Sequence, residues 1–148
     1  NQCASEHQVH GDPQRLTQVF LNLLSNARDA CQTDQQVHIS SQAIDPQHLE
    51  IRVTDEGTGI DSGHLEQVFE PFFTTKDPGK GTGLGLALVY SIIEDQGGAI
   101  QVESPVEATP GQGTRFRIHL RRYHETASEK TPSGHNPTSA LEKQVDTR

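Results

Sequence analysis

The residues best suited to chemistry lie between Asp55 and Leu88, with a second set on a helix before them. Asp55 ends an apolar strand, Leu49-Glu50-Ile51-Arg52-Val53, and is followed at once by Gly57-Thr58-Gly59 and Ile60. Its carboxylate is therefore delivered at the mouth of a sheet, where open sheets bind ligands. Lys76 and Lys80 sit in a loop broken by Pro78 and Gly79, and the cluster Gly79-Lys80-Gly81-Thr82-Gly83-Leu84-Gly85 opens into the helical run Leu86 to Ile93. Bare backbone amides at a helix start form an anion site, and ammonium groups beside them could close over phosphates. Upstream, Gln18, Asn22, Asn26 and Asp29 form one polar stripe on a helix. Asparagine competes for backbone hydrogen bonds, so two of them at mid-helix call for a reason.

Neither glycine cluster fits the two commonest fingerprints for bound nucleotides. Ser62 stands where a dinucleotide-binding turn needs its third glycine, and Lys80 is followed by Gly81, not by the Ser or Thr of a P-loop. The two clusters do, however, bracket Phe69-Glu70-Pro71-Phe72-Phe73-Thr74-Thr75-Lys76, in order.

The elements that position these groups can be read from periodicity. Asp12 and Pro13 give an N-cap and a first-turn proline for a helix from Pro13 to about Cys31, with Leu16, Val19, Phe20, Leu23, Leu24, Ala27, Ala30 and Cys31 as its buried arc. Val37 to Ser40 and Leu49 to Thr54 alternate as strands around the turn Asp45-Pro46, and Val9-His10 reads as the end of an edge strand. A helix over Gly83 to Gln96 is apolar nearly all round, which predicts burial on both sides, and Gly97-Gly98 ends it. Ala99 to Ser104 and Thr114 to Leu120 complete a strand pair.

Composition narrows the class. The chain has 148 residues, of which 31 % are hydrophobic, but the deficit is concentrated after residue 122. From Tyr123 to Arg148 the apolar residues are Tyr123, Ala127, Ala140, Leu141 and Val145, too few to offset chain entropy, so a disordered tail or linker is expected after a domain over residues 1–122. Within the tail, Ser139 to Glu142 has the form of a capping box. The formal charge is −8; three cations against four carboxylates in the tail take −1 of it, leaving −7 on the domain. That argues against a nucleic-acid partner and makes any phosphate binding local. Cys3 and Cys31 make no disulfide framework and fit a reducing cytosol. No apolar run is long enough to span a bilayer, so no direct membrane contact is expected. His7 and His10, His38 and His48, and His119 read as solvated or strand-face residues, not metal ligands.

Residues 9 to 121 resemble the ATP-binding catalytic domain of two-component sensor histidine kinases, within the class that includes gyrase, Hsp90 and MutL-type ATPases. Four blocks carry the resemblance: Asp12 to Ala30, Asp55 to Ile60, Phe69 to Lys76 and Gly79 to Leu86; Gly111 to Phe116 looks like the family's last strand. The resemblance implies a two-layer α/β sandwich of the Bergerat type, with a mixed sheet of about five strands, three helices on one face and a flexible ATP lid. It implies ATP and Mg²⁺ as ligands, with Asn26 on the metal, Asn22 beside the phosphates, and Lys76 and Lys80 in the lid. Asp55 would accept from the adenine amino group, where guanine would offer a carbonyl. Gly57, Gly59, Ile60, Phe73, Gly81, Thr82, Gly83, Leu84, Gly85, Leu86 and Thr114 would complete the nucleotide site. At Asn22 the family's ATP-hydrolysing relatives typically have a glutamate, and an amide cannot take a proton at neutral pH, so the site should hold ATP for a nucleophile other than water. Asp29 departs from the basic residue of many such kinases. None of the eight histidines has the setting of a phosphoacceptor, so the expected partners are a phosphoacceptor histidine domain of the parent kinase and, indirectly, a response regulator, in the cytoplasm. Three alternatives share the blocks: a serine-directed kinase or anti-sigma regulator, an ATP-hydrolysing switch, and a non-catalytic binding module.

Overall fold

The structure, a computed structural model, describes residues 3, 7–107 and 112–123. Helix α1 (Pro13–Ala30) starts where the sequence places it: Asp12 Oδ1 accepts from the backbone N–H of Gln14 at 2.8 Å and of Arg15 at 3.3 Å. Strands β1 (Val37–Ala43) and β2 (His48–Asp55) form a hairpin, held at its turn by Asp45, whose carboxylate accepts from the N–H of Gln47 and His48. A 3-10 turn at Ser62–His64 is followed by irregular chain up to α2 (Gly85–Asp95), and β3 (Ala99–Glu103) and β4 (Thr114–Arg121) complete the domain.

The architecture is the expected α/β sandwich, with differences in count. Among the described residues the sheet has four strands in the order β1-β2-β4-β3, and every pairing is antiparallel, where a mixed sheet of about five was expected. The expected edge strand at Val9-His10 is a single bridge to Arg122, and the expected third helix is a 3-10 turn continued by isolated i→i+3 bonds from the N–H of Gln67 to His64 O and of Glu70 to Gln67 O. The expected tail falls outside the described residues, apart from Tyr123. Among the described residues no helix is long and apolar enough to cross a membrane.

Register determines which side chains meet. Leu49, Ile51 and Val53 lie opposite Leu120, Ile118 and Phe116, and Ile100 and Val102 extend these rows across β3. These side chains share one face and form the core with Val19 and Leu23 of α1 and Val89, Ile92 and Ile93 of α2. The same rows end at Asp55 opposite Thr114, both buried. Helices α1 and α2 cross antiparallel: Arg15 pairs with Asp95 at 2.6 Å, the Asp12 N–H donates to Gln96 Oε1 at 3.0 Å, and at the other end Gly85 lies against Asn22. The sequence predicts burial of α2 on both sides, yet Leu84, Leu88 and Tyr90 are 44, 39 and 42 % exposed, because nothing among the described residues covers the side of α2 away from the sheet.

On the opposite sheet face the side chains are polar, and Glu50 is nevertheless buried beneath its neighbours. His119 Nε2 lies 2.9 Å from Glu50 Oε2, and Arg52 hydrogen-bonds Oε1. Burial by itself raises the Glu50 pKa, but the His119 and Arg52 hydrogen bonds outweigh it and hold the carboxyl below its ordinary value. A depressed carboxylate contributes stability above its unfolded value, ordinarily 4.5, and loses it as pH falls through the folded value. Glu50→Gln is therefore expected to lower stability at pH 7 by about 1–3 kcal/mol and to flatten the acid limb of the stability profile below pH 4.5. Urea titrations across pH measure both, and an acid limb as steep as wild type would rule out Glu50 as its source.

Candidate functional site

The end of the core row at Asp55 and the end of the helix crossing at Asn22 and Gly85 enclose one cavity of about 470 Å³. Asp55 is only 5 % exposed and is held by the N–H of Gly57, 2.9 Å from Oδ1, and by the backbone of Thr114. Its burial dominates and pushes the carboxyl above its ordinary value, against the pull of these two amides. A buried acceptor facing a cavity is a site for a ligand donor.

Around Asp55 the 57–60 turn approaches closely. Gly59 has φ +76°, and a Cβ there would stand 2.8 Å from Gln112 Cβ and 2.9 Å from Ser104 Oγ. Glycine is required on both counts. Gly57 is equally tight, with the backbone of Ala30 2.8 Å from where its Cβ would be.

At the other end lies the second glycine cluster. Gly83 has φ +65°, and a Cβ there would come within 2.4 Å of the Phe72 carbonyl carbon, while the Phe72 N–H donates to Gly83 O at 2.8 Å. This left-handed glycine explains why α2 starts at Gly85 and not, as expected, at Gly83. The helix has no side-chain cap, so its first amides are open to the cavity end where Gly85 and Leu86 sit. The three phenylalanines divide their work: Phe69 packs on Tyr90 and Phe116 with ring centroids 5.5 and 6.3 Å apart, Phe73 lines the cavity with His64 5.4 Å behind it, and Phe72 is 74 % exposed.

The charges are paired in this state. Lys76 Nζ donates to Asp29 Oδ2 at 2.7 Å, and Lys80 to Asp77 at 2.9 Å. The Lys76 and Arg28 hydrogen bonds to Asp29 lower its pKa.

Of the residues predicted from sequence, Asn22, Asn26, Asp55, Gly59, Ile60, Phe73, Lys76, Lys80, Gly81, Thr82, Gly83, Gly85, Leu86 and Thr114 all line this one cavity. Gly57 and Leu84 do not: Gly57 stands behind, against Ala30, and Leu84 turns to the surface. The sequence reading put Asp29 on the polar stripe with Asn22 and Asn26 without giving it a place in the site, and it missed Ser25, Ala30, Thr58, Val68, Thr74, Thr75 and Phe116 as wall residues. Asp29 and Ser25 carried a signal, at three residues' spacing from Asn26 and Asn22, and Thr74 and Thr75 lay inside a recognised block; Val68 and Phe116 looked like ordinary core. Among the described residues no three His, Cys, Asp or Glu side chains cluster as a metal site.

Residues 11–124 match the family model described as histidine kinase-, DNA gyrase B-, and HSP90-like ATPase. The sensor kinase CckA of Brucella abortus is 39 % identical over 93 % of this chain, which spans 15 % of that protein's length. The solved mycobacterial sensor histidine kinase MprB is 35 % identical with a TM-score of 0.71, covering 77 % of this chain and 76 % of that one. Full-length ShkA, solved in complex with AMPPNP, is 29 % identical with a TM-score of 0.66, over 82 % of this chain and 25 % of its own. The chain belongs to the histidine kinase-, DNA gyrase B- and HSP90-like ATPase family, and within it is an ATP-binding catalytic domain of the sensor histidine kinase type.

Proposed function

We propose that this chain binds Mg-ATP in the cavity between Asp55 and the second glycine cluster and donates the γ-phosphoryl group to a histidine presented in trans. That histidine would lie on the phosphoacceptor domain of a cytoplasmic parent kinase, itself serving a response regulator; residues 1–122 would form the catalytic unit. The observation that carries the reading is the polarity of the cavity. One end offers a buried carboxylate acceptor, suited to the amino group of adenine, and the other offers amides and ammonium groups, suited to phosphates. The AMPPNP complex of the ShkA relative supports the choice of ligand.

The donors at the phosphate end fit Mg²⁺. The Asn26 amide oxygen is a hard ligand, and Mg²⁺ commonly takes one or two protein oxygens with phosphate and water completing its shell. Bound there, the metal would neutralise phosphate charge. The chain's own residues do the rest: Asp55 orients the base, the amides at Gly83 and Gly85 receive phosphate oxygens, and Lys76 exchanges Asp29 for the triphosphate.

Calorimetry with Mg-ATP tests the reading. ATP should bind and GTP should bind more weakly, and Asn26→Ala should weaken ATP about ten-fold or more, on the scale of a contact to a charged group. Chelating Mg²⁺ should cost wild type the same factor and the variant little. A folded chain that binds ATP and GTP alike, or not at all, would overturn the assignment. Transfer is then read as acid-labile label on the phosphoacceptor domain supplied in trans.

Asp55→Asn separates binding from stability. ATP affinity should fall by about 1.5–3 kcal/mol, the scale of a charge-assisted hydrogen bond. Because the folded pKa is raised, ionising Asp55 costs the nucleotide-free fold stability above the ordinary value of 3.8 and nothing below it. The variant should therefore melt higher than wild type at pH 7, with the gain vanishing as pH falls below 3.8. A variant that melts lower at pH 7 would show that the carboxylate is stabilising and the burial argument mistaken.

A further inference from the structure

Ser104, the residue after β3, lies outside the cavity lining and was not distinguished by its sequence context, yet it is buried and both hydrogen-bonding capacities of its hydroxyl are used on backbone. Its Oγ donates to the carbonyl of Gly113 at 2.7 Å and accepts from the N–H of Ile60 at 2.8 Å. These two groups belong to different turns, 57–60 after β2 and 112–113 before β4, and neither Ile60 nor Gly113 is part of the strand ladder. The Gly113 N–H donates in turn to Gly57 O at 2.9 Å. The turns are thus stitched at two points, and the fit is tight enough that a Cβ on Gly59 would stand 2.9 Å from the Ser104 hydroxyl and 3.2 Å from Gly113 O.

The consequence reaches the cavity from both sides. On one turn the clamp fixes Ile60 and Gly59; on the other it fixes Gly113 and so Thr114, whose backbone holds the Asp55 carboxylate. A buried hydroxyl that satisfies one donor and one acceptor is hard to replace, since its loss leaves both without that partner. We propose that Ser104 is a positioning residue for the purine base: its hydroxyl holds the two turns at the separation at which Ile60, Thr114 and Asp55 meet one base edge. This rests on the nucleotide reading above. It adds a determinant of base binding that acts through backbone, from a residue that is not itself part of the cavity wall.

Ser104→Ala tests it, with two readouts. By calorimetry the variant should bind Mg-ATP and Mg-ADP about ten-fold more weakly, by the same factor for both, because the clamp acts at the base end. Lys76→Ala, at the phosphate end, should cost ATP more than ADP. In the nucleotide-free chain, the Ile60 amide should exchange with deuterium at least about ten-fold faster in Ser104→Ala, while that of Ile118 in the core keeps its protection. Ser104→Cys, which keeps the size but has a weak donor, should fall between and carries the test if the alanine variant does not fold. Affinities within about two-fold of wild type alongside a lower melting temperature would reduce Ser104 to a structural residue and overturn the proposal, as would an unchanged Ile60 exchange rate. Wild-type chain that binds neither nucleotide would overturn the nucleotide reading itself, a result distinct from a wild type that binds and a variant that binds equally.

Discussion

The domain depends on a single alternation being carried to its end. Leu49, Ile51 and Val53 are inward because side chains alternate along β2, and two residues on, the same alternation brings Asp55 inward as well. A one-residue slip against β4 would bury Thr54 and Arg52 and turn the carboxylate to solvent, so the register that forms the core also places the acceptor. Burying a charge is unfavourable, and here the Gly57 and Thr114 amides only partly offset it. Strain of this kind is tolerated where a ligand completes the hydrogen bonding.

The far end of the cavity is governed by how closely two helices and a loop can meet. Gly85 abuts Asn22, and Gly83 is pressed on the Phe72 backbone in a left-handed conformation. A side chain at Gly83 would collide with the Phe72 backbone, whereas a Cβ at Gly85 would make ordinary contact with Asn22 Oδ1 at 3.4 Å. The helix pair is held at its other end by Arg15 with Asp95 and by Asp12 with Gln96.

Much of this was legible because the determinants were local. Asp12 and Pro13 fix the start of α1, and the alternation in Leu49 to Thr54 and Thr114 to Leu120 located β2 and β4 within a residue at each end. The chemistry-bearing residues were legible through block order, since fourteen of them meet in one cavity although they are far apart in the chain. What was not legible depends on tertiary closure. The start of α2 turns on one φ angle at Gly83, and the exposure of Leu84, Leu88 and Tyr90 depends on which layers exist to cover them. Ser104 was invisible because a serine after a strand is ordinary until two distant backbone groups are found on either side of its hydroxyl.

The distribution of carboxylates bears on the choice between transfer and hydrolysis. Among the described residues lining the cavity, Asp29 and Asp55 are the only acids, and there is no histidine. Asp55, at the end proposed for the base, is tied to two amides, and Asp29 is ion-paired with Lys76 and Arg28. Its pKa is lowered by these contacts, which makes it a poorer base. Asn22, beside Gly85, has no lone pair suited to taking a proton. A water molecule near the phosphates would find positioning and charge neutralisation but no group to deprotonate it. An external imidazole needs no such help, because its neutral nitrogen is already a nucleophile at pH 7. On the proposed function, the absence of a free base from the described cavity wall therefore favours retaining ATP until a partner's histidine arrives.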